Sequence, residues 1–359
     1  MSELPIRGSG RTHGRTRSAR RRATALGALL TAVAATAVVV LVTLHVVRLN
    51  AAPAQPPPPP AIHHHATRPA VERASATQAG TLSSAVASAA AVPLAGGGAM
   101  VLGGLDSAST PIATVQSFDG TRTTTAAALP TATGAAGGAL LGGTIFMFGG
   151  SQTTGPTANI VSVSTSGAGA TIVGQLPQPT SGTAVARVGD IAYVIGGYNG
   201  TADVGSIVAY SVSNGTRSVA TLPQPLAGAA AASFAGDVYV IGGADGNQTV
   251  ATIYRFDPFT AAVTQVAKLP NALTDAAAIG WRNQILIIGG ERSVGAGETA
   301  QIYAFTPARG RIALIGTLPA PLGGAAVVSQ PTGILVLGGV EPDGQTSAAI
   351  YNVSVKGQA

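Results

Sequence analysis

Val238-Tyr239-Val240-Ile241-Gly242-Gly243, a short hydrophobic run that ends in two glycines, has five counterparts elsewhere in this 359-residue chain. The second glycines of the six copies are separated by 46, 47, 46, 47 and 49 residues. These glycines are Gly104, Gly150, Gly197, Gly243, Gly290 and Gly339. A nearly fixed period of this size indicates a repeat architecture in which similar units stack or surround an axis.

A Leu-Pro dipeptide recurs in step with the glycine pairs. Each proline lies 20 residues before the second glycine of the next pair. The five prolines are Pro130, Pro177, Pro223, Pro270 and Pro319. The stretch that leads to the glycines is therefore constant in length, whereas the stretch after them varies, as surface loops do.

One repeat reads as four short strands. In the unit around Gly243 these are predicted at residues 229–234, 238–241, 252–256 and 263–267, with turn residues between them. The first strands are predicted from stretches of small residues, at 135–139, 229–232, 276–278 and 323–326. Small side chains suit inner strands that crowd around an axis.

The glycine pair after a hydrophobic strand and an aromatic residue in the next strand resemble the kelch repeat. The aromatic residues are Phe118, Tyr210, Tyr254, Tyr303 and Tyr351. The resemblance implies an all-β, six-bladed kelch-type β-propeller over residues 73–359. One feature departs from the family pattern: no fourth strand carries a tryptophan, and the single Trp281 ends a first strand.

The chain ends on a third strand, at residues 350–355, so the last unit lacks its fourth strand. Residues 73–82 resemble a fourth strand followed by the leucine of the Leu-Pro step. We therefore expect this N-terminal segment to join the last blade and close the ring, which protects both sheet edges.

The segment before the propeller divides into three parts. Residues 1–22 form a basic tail that is predicted to be cytoplasmic, residues 23–47 a transmembrane helix, and residues 48–72 a proline-rich linker. The 25 residues of the predicted helix contain no Lys, Arg, Asp or Glu and suffice to cross a bilayer. Positive charge ahead of them predicts an extracytoplasmic propeller, with residues 1–47 contacting membrane lipid. A cleavable signal peptide is the alternative, although its apolar core is about 7–15 residues long.

The basic charge of the chain belongs to its N-terminal part. From residue 74 onward there are 10 basic and 12 acidic residues, so the propeller carries no excess of positive charge and no nucleic-acid partner is predicted. The absence of cysteine excludes disulfides. The Ala-, Gly- and Thr-rich composition with few lysines suggests a bacterial source of high GC content.

Histidine is absent from the propeller sequence. All five histidines, His13, His45 and His63 to His65, precede it. This excludes Ser-His-Asp and Cys-His nucleophilic sites from the propeller. Galactose oxidases share the kelch-type propeller, but their copper site needs histidines and a cysteine-linked tyrosine, so that activity is excluded. No cofactor is predicted, and no metal site, since the linker histidines have no other ligand type beside them.

The candidate ligand-binding residues lie in loops. In a kelch-type propeller, the loops after the Gly-Gly strands and those after Leu-Pro emerge on one face, where polar groups converge near the axis. The candidates are Asp106, Gln152, Tyr198, Asn199, Asp245, Asn247, Asp275, Glu291, Arg292 and Glu341. Each of them, taken alone, is also explained as a solvated turn residue.

Two functions follow from these features. The first is a membrane-anchored, extracytoplasmic module that binds a protein or a glycan, which the missing catalytic histidine favours. The alternative is a carbohydrate-modifying enzyme, because six-bladed kelch proteins include sialic-acid mutarotases. In that case Glu291 or Asp275 would serve as acid or base and Arg292 would hold a carboxylate.

Overall fold

The computed structural model describes residues 72–166, 169–246, 248–293 and 296–357. Within these ranges the chain forms six four-stranded antiparallel sheets. The first strand of each sheet contacts the first strands of both neighbouring sheets, so the six sheets surround a common axis as blades. The predicted all-β, six-bladed propeller is therefore confirmed.

Blades 1 to 3 take their strands in chain order, from the axis outward. Blade 1 consists of Ala90–Pro93, Ala99–Leu102, Thr114–Phe118 and Thr123–Ala128. Blade 2 consists of Gly137–Leu141, Thr144–Phe148, Asn159–Val163 and Ala170–Gln175. Blade 3 consists of Ala184–Val188, Ile191–Ile195, Ser206–Ser211 and Gly215–Thr221.

Blades 4 and 5 repeat this order, and blade 6 does not. Blade 4 consists of Ala230–Phe234, Asp237–Ile241, Thr252–Asp257 and Ala262–Lys268. Blade 5 consists of Ala277–Trp281, Gln284–Ile288, Gln301–Thr306 and Arg311–Thr317, with a short 3-10 helix at Pro307–Arg309. Blade 6 consists of Ala326–Gln330, Gly333–Leu337, Ala349–Gly357 and, as its outer strand, Glu72–Thr81.

The first strands begin later than the small-residue stretches predict. The strand predicted from residue 135 begins at Gly137, and the strand predicted from residue 323 begins at Ala326. The residues ahead of each strand are small for another reason: they approach the axis as loops, where neighbouring blades come closest together. The prediction was therefore wrong about where these strands start.

The ring is closed by the N-terminal strand, as predicted. Glu72–Thr81 pairs antiparallel with Ala349–Gly357, with Ala74 opposite Val355 and Ala76 opposite Val353. A β-bulge lies between Gln78 and Gly80. Blades 1 to 5 carry a register shift at the equivalent point between their third and fourth strands. The N-terminal strand thus reproduces the geometry of an ordinary fourth strand.

The hydrophobic core consists of six clusters, one between each pair of neighbouring blades. Aromatic rings join several of these interfaces edge to face, for example Tyr239 of blade 4 with Phe305 of blade 5, whose centroids are 5.9 Å apart. The second strands are buried on both sides because each contributes to two clusters. Trp281 ends the first strand of blade 5, as predicted, and Val263 and Ile312 pack against the inter-blade clusters.

The N-terminal predictions lie outside the described residues. These are the basic tail 1–22, the span 23–47 and nearly all of the linker 48–72. In the ranges that the structure does describe, no helix is long and apolar enough to cross a membrane.

Removing the closing strand tests how far the ring depends on it. We expect deletion of residues 73–82 from the full chain to abolish cooperative unfolding, because it leaves an unpaired edge on the third strand of blade 6 and uncovers part of its core. Circular dichroism during heating measures this. A deletion of the same length within the linker, residues 53–62, serves as the control. If both deletions unfold like the intact chain, the ring does not depend on this strand.

Candidate functional site

The glycine pairs hold the loops of one face of the propeller in place. In blade 4, Gly242 has φ near +61°, and a Cβ atom there would lie 2.2 Å from the carbonyl oxygen of Leu273. Only glycine fits such a backbone contact. Its neighbour Gly243 donates its N–H to the same carbonyl oxygen at 2.8 Å. The loop after the second strand is thereby fastened to the loop that follows Leu-Pro.

The two kinds of loop meet at every blade, as the resemblance to the kelch repeat implied. The residue after each glycine pair forms an isolated β-bridge with a residue that follows the Leu-Pro step or, in blade 1, the equivalent Leu82-Ser83. The bridges are Ala87–Leu105, Gly134–Ser151, Ser181–Tyr198, Ala227–Ala244, Thr274–Glu291 and Gly323–Val340. We call the face that carries these bridges the top face. The turns between third and fourth strands lie on the opposite, bottom face.

Six backbone groups form a closed hydrogen-bonded ring at the centre of the top face. Each ring residue donates its N–H to the carbonyl oxygen of the equivalent residue in the preceding blade, at 2.8–3.0 Å. Ser88 donates to Gly324 and so closes the circle. We call this set the axial ring; it consists of Ser88, Ala135, Gly182, Gly228, Asp275 and Gly324.

All six residues of the axial ring have positive φ, between 49° and 61°. Glycine occupies three positions, in keeping with that backbone conformation. Asp is among the residues that tolerate it best after glycine, because its short polar side chain can hydrogen-bond locally. Asp275 is the single ionisable residue of the ring.

The ring surrounds an opening of about 110 Å³ on the axis. At about 30 Å³ for each water in the liquid, this is room for about four water molecules. Besides the axial ring, the opening is lined by the next residue of each blade: Ala89, Ala136, Thr183, Ala229, Ala276 and Ala325. The wall is therefore built largely from alanine and glycine, and Asp275 supplies its one charge.

The carboxylate of Asp275 lies in an unfavourable electrostatic environment. Desolvation and the nearby charge of Glu291 together raise its pKa to about 6, and the hydroxyl of Thr274, which donates to Oδ2 at 3.1 Å, acts in the opposite direction. Although these surroundings withdraw the carboxylate from bulk water, the residue keeps some exposure toward the opening. Carboxyl groups with such a raised pKa are concentrated at functional sites.

Two further polar residues line the opening, and sequence reasoning missed both. Thr183 is about nine-tenths buried, and its Oγ1 has no hydrogen-bond partner among the described residues. The other is Ser88, which carries a hydroxyl and is itself one of the six residues of the axial ring. One signal in the sequence locates the ring: each of its members lies six residues after a leucine, from Leu82 to Leu318.

Most of the other predicted site residues lie on the top face but serve their own loops. The side chain of Asp106 accepts hydrogen bonds from the N–H groups of Ala108 and Thr110, and that of Asn199 accepts from Thr201 and Ala202. Tyr198 donates its hydroxyl to the carbonyl oxygen of Gly200. These contacts match the solvated-turn interpretation.

The remaining predicted residues occupy the rim of the same face. Gln152 lies in the hairpin Ser151–Gln152 and Gly155–Pro156, and Glu341 lies in a turn. Asp245 accepts a hydrogen bond from Gln224. Arg292 is exposed in the hairpin that follows the second strand of blade 5, which we call the blade 5 hairpin. Asn247 lies outside the described residues. Of the predicted residues that the structure describes, Asp275 alone lines the axial opening, and Glu291 lies close enough to raise its pKa.

Hydrogen bonds between neighbouring loops stiffen part of this rim. The N–H of Gly246 in blade 4 donates to Asp203 of blade 3 at 2.6 Å. The hydroxyl of Thr249 in blade 4 donates to the backbone carbonyl of Arg292 in blade 5 at 2.9 Å. Three successive blades are therefore joined above the ring. No group of three or more residues suited to hold a metal ion occurs among the described residues.

Comparison with known proteins agrees with this geometry. Residues 225–270, which span blade 4, match the Kelch motif. Blade 4 therefore carries a kelch repeat within a six-bladed β-propeller. The propeller is similar to the solved structure of YjhT, with 14% sequence identity and a TM-score of 0.67, over 77% of this chain and 99% of that chain. At that identity the likeness shows the fold alone. No curated protein matches the sequence.

The carboxylate of Asp275 destabilises the folded state, and the pH dependence of the free energy of unfolding measures by how much. A raised pKa means that the folded state binds more protons than the unfolded state between pH 3.8 and about 6. Stability therefore falls as pH rises through this range. At 1.36 kcal/mol per pH unit, the loss above pH 6 approaches about 3 kcal/mol.

We expect Asp275→Asn to stabilise the kelch propeller at pH 7.5 by about 2–3 kcal/mol, because it removes the buried charge and keeps the backbone conformation. The gain should vanish near pH 3.5. Denaturant unfolding at both pH values measures the difference. Asp343→Asn, in an exposed turn of the same face, is the control and should change little. Equal stability of wild type and Asp275→Asn at pH 7.5 would contradict the assignment.

Proposed function

We propose that this chain is a membrane-anchored, extracytoplasmic kelch propeller that binds a protein or glycan ligand through its top face. The observation that carries the proposal is the single carboxylate of the axial ring. Three of the other five ring positions are glycine, which satisfies the same backbone geometry without any charge. A charged residue that is unfavourable for folding and lines an opening is typical of a binding or catalytic site.

The rim of the top face supports the proposal. Its loops are fastened by β-bridges at every blade and by hydrogen bonds between blades 3, 4 and 5. A surface that is already ordered loses little conformational entropy when it binds a ligand. Kelch propellers in general mediate protein interactions, which agrees with this use of the face.

The membrane anchor and the extracytoplasmic location rest on the sequence. The supporting features are the uncharged apolar run 23–47 and the arginines that precede it. The proline-rich linker would hold the propeller away from the bilayer as a semi-rigid spacer.

Paired variants of the full chain test which face binds. Wild type is screened on a glycan array and by cross-linking to proteins of its native membrane. Each ligand found is then titrated against a top-face variant, Tyr198→Ala with Arg292→Ala, and a bottom-face variant, Phe259→Ser. Phe259 is 97% exposed in a bottom turn, so its replacement should not disturb folding.

We expect the top-face variant to lose at least about tenfold in affinity, the effect of removing one or two interface residues worth more than 1 kcal/mol. The bottom-face variant should bind as wild type does. A ligand whose affinity falls only in Phe259→Ser would contradict the proposal. A ligand whose affinity changes in neither variant would contradict it as well.

A second candidate function, sugar mutarotation, is favoured by the adjacent carboxyl groups of Asp275 and Glu291. A carboxyl whose pKa is about 6 can exchange protons near neutral pH, as opening and closing of a sugar ring requires. Exchange between the anomers of a sialic acid, followed by NMR, tests this function. We expect the exchange catalysed by wild type to be lost in Glu291→Gln and in Asp275→Asn. An exchange rate equal to that of the uncatalysed reaction would contradict it.

A further inference from the structure

The polar side chains of the axial opening lie on alternate blades. Ser88 belongs to blade 1, Thr183 to blade 3 and Asp275 to blade 5. Blades 2, 4 and 6 line the opening with alanine and glycine only. Three oxygen-bearing side chains therefore surround the axis at roughly equal angular intervals.

Thr183 has an unmet hydrogen-bonding capacity at this place. The methyl group of its side chain faces Gly197, where an added Cβ atom would lie 2.9 Å away. Its hydroxyl is buried and has no partner in the described structure. A buried hydroxyl without a partner costs about 1–3 kcal/mol, and such groups are rare in folded proteins unless a ligand or water satisfies them.

The charge of the opening is negative and has no counterion in its wall. No Lys or Arg is among the residues that line the opening. The charged group nearest to Asp275 is Glu291, which repels it. The other five ring positions carry no ionisable side chain. A cation placed in this opening would offset the repulsion through its attraction to the carboxylate.

We propose that the axial opening binds a primary ammonium group, as carried by the tip of a lysine side chain. An ammonium has three N–H donors and no acceptor, which suits an opening lined by the carboxylate-bearing Asp275 and the hydroxyl-bearing Ser88; the Oγ1 of Thr183 is itself closed to solvent. A guanidinium would pair with the carboxylate in a planar bidentate fork, which leaves no N–H directed at a hydroxyl on another blade in the way that the three N–H groups of an ammonium allow. The space of about 110 Å³ suffices for such a tip.

This inference rests on the proposed function, since it names the chemical group that the top face receives at its centre. The remainder of a ligand would contact the rim. Ammonium binding requires the ionised carboxylate, so affinity should fall at low pH. The titratable group that faces Asp275 is Glu291 of the blade 5 hairpin, and the ring residues of the two neighbouring blades, Gly228 and Gly324, contribute none.

The first measurement uses the full chain and Nα-acetyl-lysine methylamide in a ligand-observed NMR titration. We expect saturable binding that weakens about tenfold between pH 7.5 and pH 5, since the carboxyl is then mostly protonated. The Nε-acetylated analogue, which lacks the charge, should not bind. Glucosamine, titrated in parallel, distinguishes an amino sugar from a lysine side chain as the source of the ammonium group.

Two variants assign the binding to the ring. Asp275→Gly gives blade 5 the residue that blades 3, 4 and 6 already carry, so it should fold and should lose at least tenfold in affinity. Gly182→Asp, added to Asp275→Gly, returns one carboxylate to the same ring. A Cβ atom at Gly182 meets no atom closer than 3.5 Å, so there is space for it. We expect this double variant to regain part of the binding.

Equal binding by wild type and Asp275→Gly, or by the charged and acetylated lysine derivatives, would overturn the inference. The outcomes also separate it from the proposed function. If top-face ligands bind Asp275→Gly as tightly as wild type, the ammonium site fails and the binding face stands. If the lysine derivative binds through Asp275 but Tyr198 and Arg292 affect no larger ligand, the ammonium site stands and the proposed face fails.

Discussion

The antiparallel pairing of Glu72–Thr81 with Ala349–Gly357 is the constraint on which the rest of the propeller depends. It joins two segments from opposite ends of the described chain within one blade. Without it, blades 1 and 6 would be joined only by packed side chains and by a few backbone hydrogen bonds, such as that from Ser88 to Gly324. With it, the hydrophobic cluster between blades 6 and 1 is enclosed by two complete four-stranded sheets, as the other five clusters are. The hydrogen-bonded axial ring, which runs through all six blades, can exist only in such a closed assembly.

The two faces of the closed ring differ in construction. The top face receives both the loops after the glycine pairs and those after Leu-Pro, so every blade contributes two segments to it. The bottom face receives tight turns, such as Ala235-Gly236 in blade 4. Side chains from six different blades approach one another only around the axis on the top side. Chemistry that needs several groups together therefore has one natural place in this fold.

The sequence predicts the architecture well because a local pattern that is weak by itself recurs six times at a regular spacing. The glycine pairs, the Leu-Pro step and the missing last strand together predict the blade number and the closing role of residues 73–82, and the structure confirms both. The site is predicted less well. Loop polarity selects Asp106, Asn199 and Tyr198, whose side chains hydrogen-bond within their own turns. Thr183 is missed because a lone threonine beside a glycine has no distinguishing pattern, and only its position next to the axial ring indicates a role.

The positive φ shared by all six residues of the axial ring has a consequence for how such a protein diversifies. Every ring position has nearly the same backbone, and its hydrogen bonds use main-chain atoms only. A side chain can therefore be exchanged at one position without rearranging the others, provided that it tolerates this conformation. Glycine, alanine, serine and aspartate already occur there. Main-chain atoms of the ring hold the six blades together, so its side chains can change while that assembly is preserved.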